Sequence, residues 1–259
     1  MMIDFHDPNN RKSYTNREVD GRWLDTLQRL VGNKFVNDAV DIGCGGGIYT
    51  KALKKIGIGH VTGIDNSVSM LSEAKEFCKE EESVNFQLGS AYKTGLADNR
   101  FDLVLQRALI HHLDDLNMAF LETYRILRKD GILIVQDRTP DDCFIEGSHT
   151  HLRGYFFTLF PHLKEIELKR RYSSEAIKLS LAAAVFSHIE ETKVWETKNH
   201  YFSKKAFLAD LRSRKGRSIL HELTNKELDQ LILFMDKEVP DNIEIYDQDR
   251  WTIWKGVKR

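Results

Sequence analysis

The sequence predicts an α/β fold, doubly wound around a mostly parallel sheet, and three observations predict it. Short apolar runs alternate with segments of helical periodicity through the first half of the chain, and short connections join them. These runs are short, apolar or β-branched and are closed by Gly, Asp or a polar residue, which suits a sheet buried on both faces. A glycine-rich segment, DIGCGGG, directly follows the first run and leads into a helical segment. Such a turn lets a ligand approach the main chain at the mouth of a strand.

The elements of the first half are predicted in order from this pattern. A helix over residues 16–31 opens the chain and ends at Gly32. Strands are predicted over residues 39–42, 60–65, 84–88, 101–106 and 132–136. The helices that connect them are predicted over residues 48–56, 67–78 and 114–128. Ser67 and Asp114 are the expected N-caps of the last two helices.

The pattern changes after residue 139, where helical segments outnumber strands. Two helices are predicted over residues 151–168 and 173–189, before a strand over residues 193–201. Two further helices follow over residues 203–214 and 225–237, and Thr224 is the expected N-cap of the second. Alternating apolar residues predict a final strand over residues 251–257.

Composition limits the function classes. The 259 residues carry 38 basic and 39 acidic side chains, which argues against a general nucleic-acid surface; only residues 211–217 are locally basic. No apolar run is long enough to span a bilayer and no secretion signal is visible at the amino terminus, so we expect a cytoplasmic protein without a membrane partner. Cys44, Cys78 and Cys143 are far apart in sequence, and we expect reduced thiols and no zinc site.

The glycine segment can be compared with loops that bind three kinds of ligand: a nucleotide triphosphate, a dinucleotide and an adenosyl cofactor without phosphates. A triphosphate loop needs a Lys followed by Ser or Thr after its last glycine, and Ile48 and Tyr49 follow Gly47 instead. A dinucleotide fingerprint that begins at Gly43 needs a glycine where Ile48 stands. The chain reads D-x-G-x-G-x-G from Asp41, which leaves an adenosyl cofactor without phosphates as the favoured ligand.

Asp41, Gly43, Gly45 and Gly47 resemble the first motif of the class I S-adenosylmethionine-dependent methyltransferases. A second acid, Asp65, ends the next predicted strand, where a carboxylate can accept hydrogen bonds from both ribose hydroxyls. The resemblance implies S-adenosyl-L-methionine as cofactor and S-adenosyl-L-homocysteine as product.

Later motifs extend the resemblance over residues 37–137. Gly89, Ser90 and Ala91 stand where the family commonly has Gly-Asp-Ala, so Ser90 is a departure at the position that binds adenine. The segment FDLVLQRALIHHL resembles the fourth-strand motif, which implies that Gln106 and Arg107 face the cofactor. The residues expected to contact the cofactor are Tyr14, Asp41, Gly43, Cys44, Gly45, Asp65, Asn66, Met70, Ser90, Ala91, Gln106 and Arg107.

The carboxyl half is similar, more loosely, to methyltransferases of the ubiquinone-biosynthesis type. This resemblance implies one domain over residues 1–259, with a Rossmann-like, seven-stranded sheet whose last strand is antiparallel. Helical lid insertions are expected at about residues 141–172 and 203–240, above a small-molecule substrate. Arg214 and Arg217 in the second insertion are candidate ligands for an anionic group of that substrate.

Methyl transfer from a sulfonium is an in-line displacement, so a base is needed only if the nucleophile must lose a proton. His111 and His112 follow the fourth strand and are the candidates for that base, with helix-start packing as the alternative. His149, His151 and His162 have no metal-ligand spacing, and no metal is expected.

Two other functions stay open at this point. An RNA or protein methyltransferase is one, although the chain has no appended basic domain and no Pro-Pro-Tyr-type motif after the fourth strand. A regulator that binds S-adenosylmethionine without turnover is the other. The chain is expected to be a monomer or a homodimer.

Overall fold

The computed structural model describes residues 19–241 and 243–259, and the predicted cofactor residue Tyr14 lies outside them. The strands are β1 (Asp38–Ile42), β2 (His60–Asp65), β3 (Val84–Leu88), β4 (Phe101–Arg107), β5 (Leu127–Asp137), β6 (Ser187–Tyr201) and β7 (Ile245–Val257). They form one sheet in the order β3-β2-β1-β4-β5-β7-β6. Strands β1 to β5 are parallel, and β7 is antiparallel to both of its neighbours. The predicted seven-stranded α/β sheet with an antiparallel last strand is therefore confirmed.

Helices occupy both faces of this sheet and its carboxyl edge. The α-helices of the first half are α1 (Gly21–Val31), α2 (Ile48–Lys55), α3 (Val68–Phe77) and α4 (Leu116–Ile126). Those of the second half are α5 (Pro140–Cys143), α6 (Gly154–Leu159), α7 (His162–Arg170), α8 (Ser174–Ala183), α9 (Lys204–Ser213) and α10 (Asn225–Glu238). Short 3-10 helices cover Ile110–His112 and Ser218–Glu222.

Capping side chains set several helix starts. The Ser67 hydroxyl accepts a hydrogen bond from the Met70 amide and caps α3, as predicted. Thr224 and Glu227 form a capping box at α10. The prediction for α4 is wrong by one residue, because Asp115 rather than Asp114 accepts from the helix, with 2.9 Å between its Oδ1 and the Met118 amide.

Two predicted helices differ from the structure for local reasons. The segment predicted as one helix over residues 151–168 is divided into α6 and α7 at Pro161, which has no amide hydrogen to continue a helix. The helix predicted to end at residue 189 ends at Ala183, because Val185 and His188 have positive φ angles of 67° and 48°. Strand β6 therefore begins six residues earlier than the predicted strand.

The buried side chains form three clusters. One lies between the sheet and helices α4 and α8, and a second lies between the sheet and helices α1 and α2. The third is formed by α6, α7, α9, α10 and Ile245 of β7, which lies beyond the part of β7 that pairs with β5. This third cluster coincides with the predicted insertions, so they pack on each other at the carboxyl edge of the sheet. Among the described residues, none of the helices has the length and hydropathy needed to cross a bilayer.

Candidate active site

The glycine segment forms the turn from β1 into α2. Gly43, Gly45 and Gly47 have φ angles of 75°, 51° and 84°, a backbone region that residues other than glycine rarely adopt. The Gly43 and Cys44 amides both donate to the Ile64 carbonyl of β2, at 2.7 and 3.0 Å. The turn is thus held against the end of the neighbouring strand.

The three glycines differ in what lies beside them. A Cβ atom on Gly47 would lie 3.1 Å from the Ala74 Cβ, and one on Gly43 would lie 2.8 Å from the Leu109 Cδ1. A Cβ on Gly45 would meet only the Met70 Cε, at 3.7 Å. Gly43 and Gly47 therefore serve close packing, whereas Gly45 faces open space in which a ligand can approach the main chain. This opening fits the predicted adenosyl cofactor.

Asp65 connects the glycine turn to the next helix. Its Oδ2 accepts from the Gly45 amide and its Oδ1 accepts from the Ser67 amide, each at 2.9 Å. The carboxylate is half-buried, and each oxygen has a further lone pair for a hydroxyl donor. Asn66 beside it is exposed and Met70 is buried. The acid at the end of β2 therefore suits a ribose diol, and its contact with a cofactor stays a prediction.

Asp41 lies beneath the turn, where it supports the first turn of α2. Its buried Oδ2 accepts from the Thr50 hydroxyl at 2.7 Å. Burial, together with the negative charge of Asp65, raises the pKa of Asp41 to about 7. Cys44 is buried too, and its Sγ lies 3.7 Å from the Gly45 carbonyl oxygen. Contacts of Asp41 and Cys44 with a cofactor stay predictions.

Ser90 and Ala91 follow β3 in a tight turn. Ser90 and Lys93 exchange two backbone hydrogen bonds, at 3.1 and 3.2 Å, and the Ser90 Oγ also accepts from the Lys93 amide at 3.1 Å. Ala91 is buried in the core next to the sheet. The Ser90 hydroxyl is thus occupied as an acceptor and keeps its own hydrogen to donate, unlike the carboxylate common in the family.

Gln106 and Arg107 point to opposite faces of β4, so the prediction that both face the cofactor is wrong. The Gln106 Nε2 donates to the Thr123 Oγ1 of α4 at 2.8 Å, within the core. The Arg107 Nη2 donates to the Glu196 Oε2 at 2.7 Å, and its guanidinium lies 3.8 Å from the centre of the Tyr49 ring. Successive residues of a strand alternate between its faces, which a shared motif position does not reveal.

His111 is held by an acid from the next strand. Its Nδ1 lies 2.8 Å from the Asp137 Oδ2, and its backbone amide donates to the same oxygen at 3.3 Å. The Asp137 Oδ1 accepts from the Arg171 Nη1 at 2.8 Å. Because Asp137 accepts a hydrogen bond from Nδ1–H, the neutral ring has its lone pair on Nε2. Burial lowers the pKa of His111, against the opposing influence of Asp137.

His112 differs from His111 in its surroundings. The two ring centres are 4.0 Å apart, but the side chain of His112 is exposed, whereas that of His111 is half-buried against Asp137. His111 has the arrangement of an oriented base, because Asp137 holds its Nδ1. Its Nε2 is the atom that can accept a proton from a substrate.

The two arginines predicted to bind a substrate anion are not alike. Arg217 is 3% exposed, and its Nη1 and Nη2 pair with Asp210 and Asp247 at 2.6 and 2.9 Å. This placement does not fit the predicted role, because two carboxylates already neutralise the guanidinium. Arg214 is half-buried and donates to the Asn225 Oδ1 at 3.1 Å, and its role stays a prediction.

Metal ligands are not assembled in the part of the chain that the structure describes, since no three His, Cys, Asp or Glu side chains there could hold an ion together. The sequence analysis missed Asp137, Arg171 and Glu196 as neighbours of the site. Asp137 carried a usable signal, because it ends a buried strand as Asp65 does. Arg171 and Glu196 come from distant segments without any motif.

Known proteins resemble this chain in sequence. Residues 40–135 match the family described as Methyltransferase domain. An uncharacterised methyltransferase of Bacillus subtilis, YcgJ, is 28% identical over 55% of this chain and 58% of its own length. A demethylmenaquinone methyltransferase of Staphylococcus aureus is 33% identical over 49% of this chain and 52% of its own. The chain thus spans between half and two thirds of the length of these relatives.

Solved structures share the fold at lower identity. The YcgJ crystal structure superimposes with a TM-score of 0.61 at 20% identity, covering 91% of this chain and 97% of that one. A putative methyltransferase from Anabaena variabilis gives 0.68 at 20% identity, covering 90% and 96%. A phosphoethanolamine N-methyltransferase of Haemonchus contortus, in complex with phosphomonomethylethanolamine and S-adenosylhomocysteine, gives 0.60 at 21%, covering 99% and 60%. Residues 40–135 are therefore similar to methyltransferase domains.

Proposed function

We propose that this chain transfers a methyl group from S-adenosyl-L-methionine to a small molecule, with His111 as the general base. One observation carries the proposal: the glycine turn and the segment that contains His111 follow the carboxyl ends of neighbouring parallel strands. The turn follows β1 and His111 follows β4, and these strands are neighbours in the sheet. Leu109, two residues before His111, contacts the turn at Gly43. Ligands of open α/β sheets bind at such a point, where the strand order reverses.

The chain's own groups divide between holding the cofactor and handling a proton. Asp65 and the main chain at Gly45 are suited to the ribose and to close approach of the adenosyl group. When bound, the cofactor supplies an electrophilic methyl carbon. A hydroxyl or amine nucleophile gives its proton to the His111 Nε2 as its lone pair attacks that carbon. The cofactor, which Asp65 and the Gly45 main chain would hold, would supply the methyl group and leave as S-adenosyl-L-homocysteine.

The relatives support a small acceptor. The Staphylococcus aureus relative is named for demethylmenaquinone, and the Haemonchus contortus structure contains a phosphorylated amine. The near-zero net charge supports the same choice, because nucleic-acid methylation calls for a basic surface. The helices at the carboxyl edge, in the predicted lid segments, are well placed to keep water from the reaction.

Titration calorimetry followed by an activity screen tests this proposal. The wild-type protein is expected to bind S-adenosylmethionine and S-adenosylhomocysteine, and to methylate a member of a panel of amines, phenols and carboxylates. His111→Asn keeps a donor toward Asp137 and removes Nε2, so it should keep cofactor affinity and lose turnover by at least about 10²-fold. His112→Asn is the matched control. Binding without turnover on every panel would point to the regulator instead.

A further inference from the structure

Buried polar atoms without partners are concentrated in one place in this molecule. Seven buried side-chain atoms lack a hydrogen-bond partner within the described part of the chain. Four of them are the Arg138 Nε, the His151 Nε2, the Arg153 Nε and the Asp249 Oδ1. Because leaving such a group unsatisfied costs about 1–3 kcal/mol, a group of them calls for an explanation. We name these four residues the Asp249 cluster.

The four side chains are held around one carboxylate. The Arg138 Nη1 donates to the Asp249 Oδ2 at 3.0 Å, and the positive charges of Arg138 and Arg153 hold the pKa of Asp249 down against its burial. The His151 Nδ1 lies 2.9 Å from the Gln248 carbonyl oxygen, directly before Asp249. His151, Arg153 and Asp249 are 2%, 6% and 8% exposed. The unpartnered atoms are therefore fixed in position and shielded from bulk solvent.

Positive charge exceeds negative charge in these surroundings. Glu167 is paired with Arg153, Arg170 and Arg171, and Arg171 also binds Asp137. With the pair of Arg138 and Asp249, this network has four arginines and three carboxylates. Burial and the neighbouring Arg153 lower the pKa of Arg138, as expected where cations are crowded. One further negative charge would balance the network.

The free atoms also have a definite hydrogen-bonding character. The two arginine Nε atoms are donors, and the Asp249 Oδ1 is an acceptor. A carbonyl can only accept, so the His151 Nδ1 donates to Gln248 and the neutral ring has an acceptor at Nε2. A complementary ligand therefore has anionic oxygens beside an N–H or O–H donor.

The cluster lies next to the proposed base. The Arg171 Nη1 donates both to Asp137, which holds His111, and to the Arg138 carbonyl oxygen, at 2.8 and 3.2 Å. Asp137 pairs with Thr252 across the sheet, so Asp249 lies in the part of β7 that extends beyond the carboxyl end of β5. The Trp251 ring lies 4.5 Å from the Arg107 guanidinium and 4.8 Å from that of Arg138. A molecule anchored at the Asp249 cluster would therefore lie near the carboxyl ends of β5 and its neighbour β4, which His111 follows.

We propose that the Asp249 cluster binds the polar end of the methyl acceptor, a small anionic group with a hydrogen-bond donor beside it, as in an amino acid, a hydroxy acid or a hydrogen phosphate. This inference rests on the proposed function and specifies the substrate class for the same site. It replaces Arg217 by Arg138 and Arg153 as the ligands of the anion. The two arginines bind the anionic oxygens, while Asp249 and His151 accept from the adjacent donor.

Calorimetric titration of the protein saturated with S-adenosylhomocysteine tests this binding. The probes are free glycine, glycolate, inorganic phosphate, acetate and ethylamine, each up to about 10 mM, where a site of about 1 mM affinity is filled. Glycine, glycolate and phosphate are expected to bind, and ethylamine is not. Whichever of glycine, glycolate and phosphate binds most tightly identifies the donor as an amine, a hydroxyl or a phosphate hydroxyl.

Variants separate the two halves of the cluster. Arg138→Gln should weaken every anionic probe by at least tenfold. Asp249→Asn should weaken glycine by at least tenfold while acetate binds as well as or better than before, because only glycine brings a cation. His151→Asn keeps the donor to the Gln248 carbonyl and removes Nε2, so it tests the same acceptor role if Asp249→Asn does not fold.

The control is Arg212→Gln, which removes an exposed arginine whose recorded ion pair is with Asp229 alone, and it should change no affinity. Absence of binding by all anionic probes, in protein that still binds S-adenosylhomocysteine, overturns the inference and leaves the proposed function intact. Equal loss of glycine and acetate in Asp249→Asn also overturns it. Failure to bind S-adenosylhomocysteine at all contradicts the proposed function instead.

Discussion

The His111 Nδ1 lies 2.8 Å from the Asp137 Oδ2, which joins the loop after β4 to the end of β5. The carboxylate fixes both the orientation and the tautomer of the ring, which leaves Nε2 as its basic atom. The same carboxylate accepts from Arg171, the C-cap residue of α7 in the second half of the chain. The sheet and the helical layer therefore orient the His111 ring together.

Asp137→Asn should affect both the rate and its pH dependence. The base works in its neutral form, so the rate falls as the pH drops through the pKa of His111, which burial places below about 6.5. Removing the charge of Asp137 disfavours the imidazolium, so this acid limb should move to lower pH. The loss of the fixed tautomer should lower kcat by at least about 10²-fold. Rates measured from pH 5 to pH 8 check both effects.

A merely structural role for Asp137 would leave the pH profile of the remaining activity unchanged. The affinity for S-adenosylhomocysteine, measured on the same preparation, shows whether the glycine turn is intact. An Asp137→Asn protein with wild-type kcat and an unmoved acid limb would contradict His111 as the base.

Asp65→Ala should weaken cofactor binding more than it weakens the fold. The carboxylate is suited to two hydroxyl donors and already holds the Gly45 and Ser67 amides. Charge-assisted hydrogen bonds of this kind are worth about 2–3 kcal/mol together, so the Kd should rise roughly 30- to 150-fold. Calorimetry with S-adenosylhomocysteine measures it, with Asp229→Ala as a surface control. An unchanged Kd for Asp65→Ala would refute the assigned cofactor site.

The parallel part of the fold could be predicted because its signals are local. The strands β1, β2 and β4 are short runs rich in apolar residues, and Asp65 and the glycines lie at strand ends that meet at one edge. The pairing of Asp137 with Arg171 joins residues 34 positions apart through tertiary packing. No periodicity or motif encodes such a contact. The sequence therefore indicated that His111 lies near the site but did not indicate its partner Asp137. The positive φ angle of Val185 also arises from tertiary packing, because valine by itself favours helix or strand angles.

Gly47→Ala should destabilise the protein through packing as well as backbone strain. Its φ is 84°, and the new Cβ would lie 3.1 Å from the Ala74 Cβ and 3.2 Å from the Cys78 Sγ. Gly57→Ala is the matched control, since Gly57 has a φ of 94° and nothing within 4 Å of the new atom. Both variants have similar backbone strain, so their difference reports the contact between α2 and α3. We expect Gly47→Ala to lose about 1–3 kcal/mol more in urea unfolding, and equal losses would contradict this packing.

Arg217→Ala should destabilise the helical layer at the carboxyl edge. The guanidinium lies between Asp210 and Asp247, and removing it leaves two carboxylates without their counter-charge. Breaking a buried ion pair on one side costs about 3–5 kcal/mol. Arg214→Ala should stay within about 0.5 kcal/mol, because its single recorded hydrogen bond is exposed. Urea unfolding compares the two, and a small effect at Arg217 would return it to the candidate substrate ligands.

Asp41→Asn should remove a pH dependence of stability that arises beneath the glycine turn. The folded pKa of Asp41 is raised to about 7 by burial, above its ordinary value of 3.8. Between these values the folded state holds a proton that the unfolded state has released, so the contribution of Asp41 to stability falls as the pH rises from about 4 to about 7. Above pH 7 the ionised Asp41 makes the folded state less stable than it would be with Asp41 protonated in both states, by at most about 4 kcal/mol.

The asparagine variant isolates this contribution because it keeps an acceptor for the Thr50 hydroxyl and cannot ionise. Relative to the wild type, Asp41→Asn should gain stability progressively from pH 5 to pH 8, while all other titrating groups cancel in the comparison. Urea unfolding at each pH, without added cofactor, measures the difference, since a bound ligand would stabilise by mass action. A constant difference across this range would mean that Asp41 ionises normally, and that the pocket beneath the turn is wetter than the geometry indicates.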